Sequence, residues 1–232
     1  MPPSDRPKQI PLDLAVSPRL SRDDLLKGPS NQAAIEAIDR WPVWQNPIVI
    51  LVGPAGSGKS HLAAIWQEKS NARLVVPEDL REALKREVDT PLLIGDIGGA
   101  PIDDTALFHL VNTISQTGGS MLLTSRKPPQ EWKLQLADLQ SRMMAATIIA
   151  ISEPDDALLA SVIAKLFADR QVNVEANVIS FLVNRMERSL AAAADIVERL
   201  DRLALEKNVR ISRSLAGTLV SDADPRQTNL DL

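Results

Sequence analysis

Eight residues constrain this chain more than any others: Gly53-Pro54-Ala55-Gly56-Ser57-Gly58-Lys59-Ser60. They follow directly on an unbroken apolar run, residues 48–52, and open a segment with helical spacing. Glycines at this spacing let the backbone curl until several N–H groups point at one spot, and the helix that follows adds its positive end. Lys59 supplies a point charge for the β- and γ-phosphates, and the Ser60 hydroxyl can ligate Mg²⁺. A strand before and a helix after are what separate such a phosphate-binding loop from a chance glycine turn. The sequence therefore predicts a P-loop for ADP or ATP, built from Gly53, Pro54, Ala55, Gly56, Ser57, Gly58, Lys59 and Ser60.

The surrounding pattern predicts the fold. Short apolar runs recur at 47–52, 73–76, 92–94, 120–124 and 147–151, and segments of helical spacing lie between them at 59–69, 78–86, 103–116 and 134–145. Continuous apolar strands alternating with helices indicate a five-stranded parallel sheet covered on both faces, an α/β domain over residues 20–153. Upstream, Gly28-Pro29-Ser30 reads as a turn, followed by a helix capped by Ser30 or Asn31. After Pro154 the strands stop. Segments 155–170, 175–186 and 189–206 read as helices of a small C-terminal lid over 154–220, with a close helix contact at the alanines 191–194. Residues 1–19 hold Pro2, Pro3, Pro7, Pro11 and Pro18 and read as an extended arm. Residues 221–232 read as a polar tail.

Composition excludes several functions. With no cysteine there is no disulfide, thiolate catalysis or cysteine-ligated zinc. His61 and His109 are the only histidines, too few for a histidine metal site. Tyrosine is absent and aromatics make up 3% of the chain, so no stacking platform for single-stranded nucleic acid can be assembled. Trp41, Trp44, Trp66 and Trp132 read as packing residues, with Trp41 and Trp44 as the pair able to flank an adenine. The net charge of −4, without a basic helix or helix-turn-helix, argues against sequence-specific DNA binding. No apolar stretch is long enough for a membrane span and no signal peptide opens the chain, so a cytoplasmic protein is expected.

Hydrolysis needs more than a phosphate loop. A carboxylate at the end of a neighbouring strand holds Mg²⁺, and a second acid often orients water. The candidate here, Leu92-Leu93-Ile94-Gly95-Asp96-Ile97, contains one acid. If Gly95 takes the metal position, Asp96 falls on the opposite face; if Asp96 takes it, Ile97 replaces the second acid. Either way one part is missing, and intrinsic ATPase activity should be feeble or absent.

Several blocks, in order, resemble one family. Gly28-Pro29-Ser30-Asn31, the P-loop with His61-Leu62-Ala63, Leu92-Leu93-Ile94-Gly95-Asp96-Ile97 and Leu123-Thr124-Ser125-Arg126-Lys127-Pro128-Pro129 look like the AAA+ core of DnaA, the bacterial replication initiator. The resemblance spans roughly residues 20–220. It implies an AAA+ P-loop fold, with His61, Asp96 and Arg188 joining the loop around the nucleotide; Arg188 matches the sensor-2 position. Arg142 matches the arginine finger, which acts on a neighbouring subunit's nucleotide. The chain departs from the initiator in having Gly95 for an acid, Arg126 at the sensor-1 acid, and no segment expected to encode the C-terminal DNA-binding domain. Within the arm, Gln9-Ile10-Pro11-Leu12-Asp13-Leu14 looks like the peptide that docks on the β sliding clamp of DNA polymerase III, with Gln9, Ile10, Leu12 and Leu14 as contacts. The combination is similar to DnaA-related regulators. It implies a chain tethered to the clamp on the nucleoid, a co-activator of ATP hydrolysis by DnaA, with self-association a further option. The alternative is a self-sufficient AAA+ ATPase of the initiator or loader type.

Overall fold

The computed structural model of the protein describes residues 21–86, 90–99 and 101–221. The arm with Gln9, Ile10, Leu12 and Leu14, and the tail from 222, lie outside the described residues. Along the chain come α1 (Gln32–Arg40), β1 (Ile48–Val52), α2 (Lys59–Ser70), β2 (Arg73–Val75), α3 (Leu80–Leu84), β3 (Leu92–Ile94), α4 (Asp104–Thr117), β4 (Met121–Ser125), α5 (Ala137–Ala145) and β5 (Thr147–Ala150). Four helices follow: α6 (Asp156–Asp169), α7 (Ala176–Val183), α8 (Leu190–Lys207) and α9 (Arg213–Ser221).

All five expected strands form and pair in parallel, in the order β2-β3-β4-β1-β5. The unbroken apolar runs have the expected cause, since every residue of β1, β3 and β4 is buried. Ile48, Ile50, Leu92, Ile94, Met121 and Leu123 face α3, α4 and α5. Val49, Leu51, Leu93 and Leu122 face α1 and α2. A separate core unites α6 to α9.

Side-chain caps set three of the helix starts. Asp103, Asp155 and Ser189 each accept a hydrogen bond from a backbone N–H in the first turn of α4, α6 and α8. Asn31 holds the cap position of α1 but bonds elsewhere. Its Oδ1 accepts from Gly28 N at 2.9 Å and its Nδ2 donates to Leu26 O at 2.9 Å, fixing the turn instead of the helix end. The expected helix over 134–145 begins later, because the Leu136 and Gln135 amides are taken by the Asp104 carboxylate. The segment 78–86 opens as a 3-10 turn at Pro77–Asp79 before α3. The helix α9 was not expected; Leu215, Ala216 and Leu219 bury themselves in the lid core.

The tryptophans pack. Trp66 is fully buried, with Trp44 stacked on it at 5.4 Å and Trp41 edge-on at 6.2 Å. The pair Trp41 and Trp44 thus belongs to the core behind α2.

Candidate functional site

The loop Gly53–Ser60 leaves the C-terminal end of β1 between two neighbours. On one side Gly53 N donates to Ser125 O, the last residue of β4, at 3.1 Å. On the other, Ile151 O lies so close that any Cβ at Gly53 would collide with it. Gly56 and Gly58 have φ of +69° and +97°, conformations that side chains strain to adopt. The second ends in the first turn of α2, where Gly58 is the cap. Glycine is needed here for a further reason. A Cβ at Gly56 would overlap the Ser189 hydroxyl, and one at Gly58 would lie 3.2 Å from Leu190 Cδ1. Leu190 N also donates to Gly56 O at 2.8 Å. The lid's α8 therefore starts on top of the loop.

Lys59 is 8% exposed and folds back along the loop. Its Nζ donates to Gly53 O and Pro54 O, each at 2.7 Å. Burial pushes its pKa down; the nearby Asp96 carboxylate pulls it up and the Arg126 guanidinium pushes it further down. Ser60 is exposed at the start of α2. His61 turns away from the loop: its Nε2 pairs with Ser21 O at 2.9 Å, which places the ring proton on Nε2 and ties α2 to the segment before α1.

Asp96 lies past the end of β3, with φ of +47°, so strand alternation does not decide its direction. Its N–H donates to Thr124 Oγ1 at 2.9 Å, and Ile97 N donates to Thr124 O at 2.8 Å. The Ile97 side chain enters the core. Asp96 Oδ2 is 3.2 Å from Arg126 Nη2. Sequence reasoning offered Arg126 only a contact to phosphate or to an acidic partner, and the signal was its departure from the expected acid.

A divalent cation fits this donor set poorly. Mg²⁺ wants oxygen ligands with at least one free carboxylate. The Ser60 hydroxyl and Asp96 are the candidates, and a cation held by Asp96 would sit beside the Arg126 guanidinium, which lies 3.2 Å from that carboxylate. Among the described residues no group of three or more His, Asp or Glu is placed to hold a metal.

Two arginines stand apart from the loop. Arg188 precedes the cap of α8, and its Nη1 pairs with Asp156 Oδ1 at 2.9 Å, both side chains about half exposed. Arg142 lies on α5, 3.3 Å from Asp138 and with its guanidinium 5.6 Å from the Phe108 ring centre. It lines a groove of about 360 Å³ with Asn46, Pro47, Ile48, Val111 and Ser115. Ile48 begins β1 and Gly53 follows its end, so Arg142 and the phosphate loop sit at opposite ends of a strand about 16 Å long. Among the described residues no helix is long and apolar enough to cross a membrane.

No protein-family profile matches the chain. Among curated proteins it is similar to the chromosomal replication initiator protein DnaA of Thermomicrobium roseum, 24% identical over 91% of this chain and 51% of that protein. It is likewise similar to DnaA of Herpetosiphon aurantiacus, 25% identical over 89% and 50%. The chain thus spans about half the length of the curated relatives it matches. Domain III of Thermotoga maritima DnaA superposes with a TM-score of 0.75 at 19% identity, covering 88% of this chain and 97% of that domain. AMPPCP-bound DnaA from Aquifex aeolicus gives 0.66 at 18% identity, with coverage of 90% and 74%. The RuvB branch migration motor of Thermotoga maritima gives 0.65 at 19%, with coverage of 86% and 69%. The chain has the AAA+ P-loop fold, a five-stranded parallel sheet with flanking helices and a helical lid, and its relatives in sequence include the replication initiator DnaA.

Proposed function

We propose that the chain is a DnaA-related regulator of the Hda type, a nucleotide-bound AAA+ protein that restrains replication initiation. ADP or ATP occupies the P-loop, with Lys59 at the phosphates and Arg188 reaching them from the lid once it leaves its weak surface pair with Asp156. The arm's Gln9, Ile10, Leu12 and Leu14 dock on the β sliding clamp, and Arg142 acts in trans on the nucleotide of DnaA. The observation that carries this reading is an intact phosphate cradle beside an incomplete hydrolytic pair, Gly95 and Asp96. Such a site retains a nucleotide better than it turns one over. Nucleotide binding itself is supported by the AMPPCP found in the Aquifex aeolicus neighbour.

The test mixes the purified chain with ATP-loaded DnaA, clamp and DNA and follows phosphate release. Release that depends on all components supports the regulator. Turnover of ATP by the chain alone, without DnaA, would instead favour the self-sufficient ATPase.

A further inference from the structure

Arg126 stands where the phosphate tail of a nucleotide would need positive charge. Val52 and Ser125 are in register on β1 and β4, so the P-loop and Arg126 leave the sheet side by side. The backbone around Arg126 is fixed. Ser125 Oγ donates to Lys127 O at 2.7 Å, and Trp132 Nε1 donates to the same carbonyl at 2.8 Å. Trp132 also covers Gly98, where an added Cβ would sit 2.6 Å from the indole. The loops after β3 and β4 are thereby clamped together, and they carry Asp96 and Arg126 respectively.

Three charges converge here: Lys59, Asp96 and Arg126. The ammonium of Lys59 feels both of the others. The Asp96–Arg126 pair is weak, since its side chains are 54% and 62% exposed. One carboxylate facing two cations and a helix start leaves a net positive site, and a guanidinium binds phosphate oxygens in bidentate fashion. A divalent cation, in contrast, would have to take Asp96 from Arg126 and then remain beside the displaced guanidinium.

We infer that Arg126 takes the place of a divalent cation in this site, so that Lys59, Arg126 and the loop N–H groups bind a nucleoside di- or triphosphate without needing Mg²⁺. This rests on the reading that the P-loop holds nucleotide, and the experiment separates the two.

ADP is titrated calorimetrically into the full chain, once in EDTA and once with excess Mg²⁺. The wild-type affinities should agree within about threefold. Arg126→Ala should weaken binding in EDTA by about 10- to 100-fold, the worth of a charge-assisted contact, and Mg²⁺ should recover part of it by using the released Asp96. Arg126→Lys should fall between the two, and Asp96→Asn should tighten binding in EDTA by freeing the guanidinium. Melting curves confirm that each variant is folded. Wild-type affinity that drops tenfold or more in EDTA overturns the inference and leaves the P-loop reading standing. So does an Arg126→Ala variant that binds like wild type in EDTA. Absence of ADP binding by wild type in both buffers overturns the P-loop reading and the inference with it.

Discussion

At Gly95 an added Cβ meets nothing within 4 Å. Space for an acid at the end of β3 is present, and only the residue is missing. Gly95→Asp should therefore fold and place a second carboxylate beside Asp96. Titration should then show Mg²⁺ improving ADP affinity by about tenfold over EDTA, the worth of one charge-assisted contact; equal affinities would show that the residue is not aimed at the phosphates. Lys59→Ala should cost about 2–3 kcal/mol of nucleotide binding, checked by the same titration. Burial depresses the Lys59 pKa, so its charge is penalised at neutral pH, and the penalty fades as pH rises toward the ordinary lysine value. A phosphate against the ammonium reverses the penalty, because the low surrounding dielectric strengthens the pairing. The phosphate loop was legible in the sequence because its chemistry is local. The Asp96–Arg126 pair was not, because it depends on two loops, far apart in the chain, that Trp132 fastens together.

The strands were legible as apolar runs, including β2 and β5, which keep exposed positions. Strands β1, β3 and β4 announce themselves as apolar runs because no face of them meets water. Helix α9 has no such signal: nine residues with Gly217 in the middle form a poor isolated helix. Its stability comes from the lid core, so Leu215→Ala should cost about 2–4 kcal/mol in urea unfolding although the residue lies far along the chain from the site. The start of α8 makes the opposite case. Its start at residue 189 was readable, but not that Ser189 would cap it and press on Gly56. Gly56→Ala places a Cβ at positive φ and against the Ser189 hydroxyl, and should cost about 1–3 kcal/mol in the same assay. An unchanged midpoint would mean that the lid yields freely.

Across the whole molecule, lid and sheet domain are joined by few contacts. Lys165 on α6 donates to Asp24 Oδ1 at 2.7 Å, bridging the lid to the segment before α1. The Asp24 pKa is lowered, chiefly by this hydrogen bond, so its contribution is present above the ordinary carboxylate range and lost as pH falls through the folded value. Lys165 is raised, first by Asp169 and then by Asp24, and its share disappears only as pH rises through its folded value. A double-mutant cycle of Asp24→Asn and Lys165→Met should give about 0.5–1 kcal/mol at neutral pH and close to nothing well below pH 4. At the same scale, Arg142 lies a strand's length from its own Lys59. Arg142→Ala should keep ADP affinity and stability but lose stimulation of phosphate release from DnaA, by about 10³-fold or more. Arg142→Lys should fail too, lacking the planar fork. The hydrogen bond from Leu190 N to Gly56 O gives the molecule a lever. Helix α8 has 18 residues, hence a length of about 27 Å. Pivoted at the phosphate loop, a tilt of about 10° swings its far end, at Asn208, through about 5 Å. A displacement too small to disturb the loop's own hydrogen bonds becomes, at the rim of the lid, a step as large as one helical turn.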